Sequence, residues 1–336
     1  MKKVLFASTA LVAASLGSAS FAAEPITGSV GGYMMMGLVY MEDQGDEIGV
    51  LRDGEIHLGW KGTSDNGLTF DGRVELEAHT QAGDQIDENW ARVSGTFGSV
   101  MIGSDDSSSN AMEKGVFYGP GSRVGYWDSF YSVTYTSMGG DIPVIRYTTP
   151  NISGFTASVD WGPNSSADGV NDSNLVFGGY GAPGDTDGQR WSVGAKYEGE
   201  IDGVGFGVGA GYLDGDSDFY DDGFWHVGGE ISYVGFSLGV HYDSAGYQYV
   251  GPAGFYNTVG TISVGAQYET GPWTFGGGWA TNTEGRDVNN WGVWATYAIA
   301  PGVTGTLGYE GNDAGEYNTV YAGSENVVTG YLRVAF

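Results

Sequence analysis

From Ile26 to Phe336 apolar and small or polar positions alternate along the chain. At the C-terminus Val328, Gly330, Leu332, Val334 and Phe336 share one face, with Thr329, Tyr331, Arg333 and Ala335 on the other. This period of two is that of a β-strand with one greasy face. Phe155, Ala157, Val159 and Trp161 alternate with Thr156, Ser158 and Asp160, and Trp191, Val193, Ala195 and Tyr197 with Ser192, Gly194 and Lys196. Val204, Phe206, Val208, Ala210 and Tyr212 alternate with glycines alone, then Trp273, Phe275, Gly277 and Trp279, and Val303, Gly305, Leu307 and Tyr309, repeat the scheme. No break in composition divides the pattern, which predicts one all-β domain.

A soluble sandwich would also alternate, so the connections decide the class. Short turns fall at Lys61–Asn66, Thr96–Ser99, Pro150–Gly154, Glu198–Gly203, Tyr233–Gly235, Thr270–Pro272 and Ala300–Gly302. Long, mostly acidic loops fall between them, at Glu42–Glu47, Gln81–Glu88, Ser104–Phe130, Gly162–Asp187, Asp214–Gly223, Asp243–Tyr256, Asn282–Asp287 and Gly311–Glu325. Seven turns and eight loops separate sixteen strands. An even strand count with tight turns at one end and long loops at the other predicts a 16-stranded antiparallel transmembrane β-barrel. Many aromatics sit near strand ends on the apolar face, among them Tyr40, Trp60, Trp161, Tyr197, Tyr233, Trp273 and Tyr297. They would form girdles at the two membrane interfaces.

The N-terminus supplies the compartment. Met1-Lys2-Lys3 is a basic start, Val4 to Leu16 a short apolar stretch, and Ser18 to Ala23 a run of mostly small residues. This is a secretory signal peptide over residues 1–22, with cleavage after Ala22 or after Ala23, and the barrel domain occupies 24–336. No later run reaches the ~20 apolar residues of a spanning helix. Cysteine is absent, so no disulfide supports the exported fold. Glycine at 61 residues and aromatics at 14% suit barrel strands, and with only 9 prolines collagen-like or proline-rich disorder is excluded. The formal charge is −28, and losing Lys2 and Lys3 with the leader makes it −30. Such a surface repels nucleic acid, which excludes that class of partner.

Sixteen strands enclose a lumen too wide for their own side chains to fill. The longest early loop, Ser104 to Phe130, has apolar residues with no membrane to face, which predicts that it folds inward as the third extracellular loop. Asp105, Asp106 and Glu113 would then line the narrowest point. Parity turns Asp71, Arg73, Glu75, Glu77 and His79 inward on one strand and Arg92 inward on the next. Asp53, Glu55 and His57 have lumen parity on the second strand. Arg73 and Arg92 are expected to oppose the loop acids across the opening, giving a transverse field that favours ions and dipolar solutes.

These features together resemble the sixteen-stranded general porins of proteobacteria, especially the alphaproteobacterial type. The supporting residues are Gly59-Trp60-Lys61-Gly62-Thr63 with Gly67-Leu68-Thr69-Phe70, Phe97-Gly98-Ser99-Val100, and Tyr147 to Phe155, similar to the family's Y-x-S-P-x-x-x-G-F turn with Thr149 for Ser. The terminal Phe336 completes the resemblance and would serve as an assembly signal. The resemblance implies a homotrimer in the bacterial outer membrane, contacts with outer-membrane lipid and lipopolysaccharide, delivery by the assembly machinery, and passive diffusion of small hydrophilic solutes and ions. It also implies a basic cluster opposite the third loop, carried here only by Arg73 and Arg92. Acids stand at Asp53 and Glu55, where relatives often place arginines, so cation preference is expected.

Weaker signals point elsewhere. Asp214, Asp216 and Asp218 have the first spacings of a calcium loop, but Phe219 and Trp225 occupy its sixth and twelfth positions, so an EF-hand fails. A structural calcium ion bridging these acids remains open beside plain solvated loop acids, and no other cofactor is expected. His57, His79, His226 and His241 are scattered and read as polar interior residues, and neither G-x-S-x-G nor H-E-x-x-H occurs, so no enzyme is expected. Phe117, Tyr118, Tyr126 and Trp127 in the inward loop offer the alternative of a sugar-specific channel with a stacking track.

Overall fold

The computed structural model describes residues 23–41, 48–78, 86–116, 134–135, 142–163, 189–215, 223–250, 255–283, 289–312 and 326–336. The signal segment and His79 lie outside them. In chain order the strands are β1 (Glu24–Met41), β2 (Ile48–Thr63), β3 (Thr69–Glu77), β4 (Ile86–Gly95), β5 (Gly98–Asp105), β6 (Thr134–Tyr135), β7 (Ile142–Thr148), β8 (Phe155–Gly162) and β9 (Arg190–Ile201). They continue as β10 (Val204–Gly215), β11 (Phe224–Tyr233), β12 (Phe236–Val250), β13 (Phe255–Thr270), β14 (Trp273–Asn282), β15 (Asn289–Ala300), β16 (Val303–Asn312) and β17 (Asn326–Ala335).

Sixteen of these form a closed antiparallel ring, in which β5 pairs directly with β7 and β17 returns to β1. Closure runs from Tyr33 opposite Ala335 to Met41 opposite Val327. It is finished by reciprocal backbone hydrogen bonds, Gly32 N–H to Phe336 O at 3.0 Å and Phe336 N–H to Gly32 O at 3.1 Å. The remaining strand, β6, pairs only with β12, at Gly246 and Tyr247.

Burial is inverted relative to a soluble protein. Val50, Ile102 and Leu307 are 77%, 60% and 62% exposed, whereas Asp160, Arg190 and His226 are at most 1% exposed. A sandwich would hide the first set and expose the second. The alternation therefore puts an apolar belt toward lipid and polar groups toward the interior.

The seven predicted turns are present, and their chemistry explains their tightness. Asp202 and Gly203 both have positive φ, 52° and 80°, the type I′ geometry whose twist suits a two-residue hairpin. At the Tyr147–Phe155 motif, the Tyr147 hydroxyl donates to the Phe97 carbonyl at 2.7 Å, and Asn151 Oδ1 accepts from Gly154 N–H at 2.9 Å. The first bond ties this hairpin to the neighbouring Thr96–Ser99 turn, and the second closes its own turn.

One loop boundary differs from the sequence expectation. The span expected as a loop from Asp243 to Tyr256 is largely strand, because β12 and β13 run on as a ribbon past the last β11 partner at Asp243, after a register shift before Gly246. Among the described residues, the strand that returns from the third loop starts at Ile142.

Candidate functional site

The described start of the third loop, residues 106–116, lies against the inner wall. Ser108 N–H donates to Asp160 on β8, whose Oδ2 also accepts from the Ser192 hydroxyl of β9 at 2.6 Å. The Ser108 hydroxyl bonds that of Ser158 at 2.8 Å, and Ser109 N–H reaches Ser192 Oγ at 3.3 Å. A single 3-10 turn, Asn110–Met112, follows. Farther on, Lys114 Nζ bridges Glu198 of β9 at 2.6 Å and Glu230 of β11 at 3.1 Å. Short β6, later in the same connection, joins β12. The segment thus lines the wall from β8 to β12.

Glycine makes this approach possible. A Cβ at Gly211 would collide with Ser109 and His226, one at Gly209 with the Met112 carbonyl, and one at Gly228 with the Lys114 carbonyl. The run of inward glycines on β10, Gly205 to Gly211, is therefore a seat for the loop. The sequence carried this signal as a strand alternating with glycine alone.

The wall from β1 to β4 carries a second set of charges. Arg92 makes a two-pronged contact with Asp71, Nε to Oδ1 at 3.1 Å and Nη2 to Oδ2 at 2.5 Å. Arg73 contacts Glu75 and, at 3.1 Å, Glu88. His57 sits 2.7 Å from Glu55 and 3.4 Å from Glu75. The Tyr33 hydroxyl lies 3.0 Å from Glu55 Oε1 and 3.2 Å from Asp53 Oδ2. Glu77 offers a carboxylate oxygen within 4.8 Å of those of Glu55 and Asp87. In the ring β3 and β12 are eight strands apart, so this wall faces the loop's seat from half a turn away.

The expected opposition of arginines and loop acids takes a different form. Arg73 and Arg92 form their ion pairs with wall carboxylates on the same or the adjacent strand, where side chains about 5 Å apart meet more readily than groups across a lumen. Asp105 pairs with Arg146 of β7 at 2.5 Å and is close enough to act electrostatically on Arg92. Asp106 is largely buried beside Asn110, and that burial raises its carboxyl pKa above the usual range. Glu113 turns to the wall, 3.4 Å from His241 Nε2. Burial alone would lower the Lys114 pKa, but its bonds to Glu198 and Glu230 raise it.

Sequence reasoning missed Arg146, Lys114, Asp160, Glu198 and Glu230, which pair strands with the loop. Of the calcium candidates, Asp216 and Asp218 lie outside the described residues, while Asp214 accepts from the Tyr212 hydroxyl at 3.0 Å and Gly215 N–H at 2.8 Å. The loop aromatics Phe117, Tyr118, Tyr126 and Trp127 also lie outside them.

A closed sixteen-stranded barrel with a lipid-facing apolar belt, a charged interior and the loop segment 106–116 hydrogen-bonded to the wall defines an outer-membrane channel protein. The chain belongs to the Gram-negative porin family, whose profile matches residues 7–315. A porin structure refined at 1.8 Å resolution aligns with a TM-score of 0.61 and 19% identity, covering 92% of this chain and 100% of that one. A triple mutant of the Rhodopseudomonas blastica porin gives 0.63 and 18% over the same shares, and a further mutant of that porin gives 0.62 and 17%. No curated protein sequence gives a significant match. The protein is thus a porin of the bacterial outer membrane.

Proposed function

We propose that this porin forms a water-filled pore for passive diffusion of small hydrophilic solutes and ions, with preference for cations. The observation that carries the preference is the β1–β4 wall. There the carboxylates of Asp53, Glu55, Asp71, Glu75 and Glu88 share the wall with two arginines, Arg73 and Arg92. Negative charge therefore exceeds positive charge on the wall that the described loop segment leaves uncovered, and fixed charge of one sign concentrates counter-ions. Neutralising Asp53 and Glu55 together (D53N with E55Q) should move the reversal potential in a KCl gradient toward zero. An unchanged potential would remove the wall from the account.

Diffusion without substrate selection predicts that liposome swelling falls smoothly with the size of neutral sugars. One sugar far out of line would favour the sugar-specific alternative. We read the assembly as a homotrimer, on the family resemblance and on Arg52. Its side chain is exposed with the outward parity of Val50 and Ile56, opposite Met36 of β1. A lipid-facing Arg is disfavoured by an amount that depends on its depth in the bilayer, and an adjoining copy of the chain over the β1–β2 face relieves that cost.

A further inference from the structure

Two of the scattered histidines converge where the loop crosses the wall. His226 of β11 and His241 of β12 are each 1% exposed, and their rings stack with centroids 5.1 Å apart and planes 22° apart. Glu113, from the loop, brings Oε1 to 3.4 Å from His241 Nε2. One potential ligand atom from each of the three lies within 4.8 Å of the other two.

Both rings are held by the same loop that supplies the carboxylate. The Ser109 carbonyl lies 2.9 Å from His226 Nε2, and the Lys114 carbonyl 3.0 Å from His241 Nδ1. A carbonyl oxygen only accepts, so these two nitrogens carry the protons, and in a neutral imidazole the other nitrogen keeps its lone pair. In His226 that atom, Nδ1, is buried with no hydrogen-bond partner. In His241 it is Nε2, the atom facing Glu113. A backbone carbonyl behind the ring is the outer-shell arrangement that orients metal-ligating histidines.

A polar interior filler explains these residues less well. Leaving a buried polar atom unsatisfied, as at His226 Nδ1, costs about 1–3 kcal/mol, which an apolar side chain in place of that ring would avoid. We propose that Glu113, His226 and His241 form a binding site for a borderline transition-metal dication, with Zn2+ as the reference ion, that ties the inward loop to the β11–β12 wall. Two imidazoles and one carboxylate are a zinc donor set that leaves a fourth position for water. Calcium and magnesium prefer shells of oxygen alone. Tetrahedral bonds of about 2.1 Å hold ligand atoms roughly 3.4 Å apart, the separation already present between Glu113 and His241. The His226 ligand atom, within 4.8 Å of the other two, closes to that separation by at most about 1.4 Å.

The test is zinc titration of the EDTA-stripped protein in detergent by calorimetry, with zinc K-edge absorption on the loaded sample. The site predicts one Zn2+ per chain, a first shell of two imidazoles completed by oxygen, and no competition from an equal concentration of Ca2+. Glu113→Gln should weaken binding at least tenfold and His241→Gln abolish it, and Zn2+ should raise the thermal transition of the native chain only. An oxygen-only shell, sub-stoichiometric uptake, or affinity unchanged in E113Q and H241Q would overturn the proposal. The shell is read on the native protein, so the outcome does not depend on either variant folding.

Discussion

Asp106 is where the loop meets the wall at a cost. Desolvation raises its pKa, while Asn110, Arg146 and Arg190 offset part of the shift. A carboxyl whose folded pKa lies above its unfolded value destabilises the fold wherever it is ionised, and the penalty disappears below the unfolded value, near pH 4. Asp106→Asn should therefore raise the thermal transition at pH 7, with the gain fading as pH falls toward 4. Thermal melts of both proteins across that range check the sign. Replacing Asp160 should instead lower the transition. Asp160 anchors Ser108 and Ser192 and lies 3.9 Å from buried Arg190. Asp160→Ala leaves that guanidinium without this counter-charge and should cost about 3–5 kcal/mol, seen as a lower transition in the same melts. At this scale the sequence was half legible. Parity put Asp53, Glu55, His57, Arg73 and Arg92 on the inner-face register, because side-chain direction in a strand is fixed by position alone. Partners were not legible, because they depend on register between strands, as with Asp71 opposite Arg92.

The decisive element is the loop segment and its seat. Its strongest charged tether is Lys114, held by Glu198 and Glu230, and the raised pKa keeps that tether charged through neutral pH until strongly alkaline solution. Lys114→Met should speed amide exchange across residues 106–116 several-fold without changing exchange in β14 to β16, read by hydrogen exchange and mass spectrometry. Gly209→Val should displace the same segment by steric contact at Met112 and give the same exchange pattern. The turns and strands were plain in the sequence, since Asp-Gly and Pro-Gly pairs and the alternation of faces are local signals. The extended β12–β13 ribbon was not, because the glycine and tyrosines of Gly246 to Tyr249 resemble a loop until a partner strand supplies their hydrogen bonds. The glycine face of β10 was visible as a pattern, yet its purpose emerged only with Ser109, Met112 and Lys114 against it.

For the whole molecule, closure, assembly and selectivity are separate consequences of one alternating pattern. Closure rests on the Gly32 and Phe336 backbone pair, and the Phe336 ring is 61% exposed on the outer face. Deleting Phe336 should impair insertion far more than the conductance of those channels that do insert, measured as outer-membrane yield against single-channel step size. Arg52→Glu should convert heat-labile trimers into monomers on unheated gels if the β1–β2 face is the contact between copies. Selectivity was legible only as an excess of acids at lumen parity, and the wall from β1 to β4 gives that excess a location. The most direct test is the zero-current potential of the purified protein in a planar bilayer under a KCl gradient. A cation-selective potential is the predicted result, and a clearly anion-selective one would contradict the account.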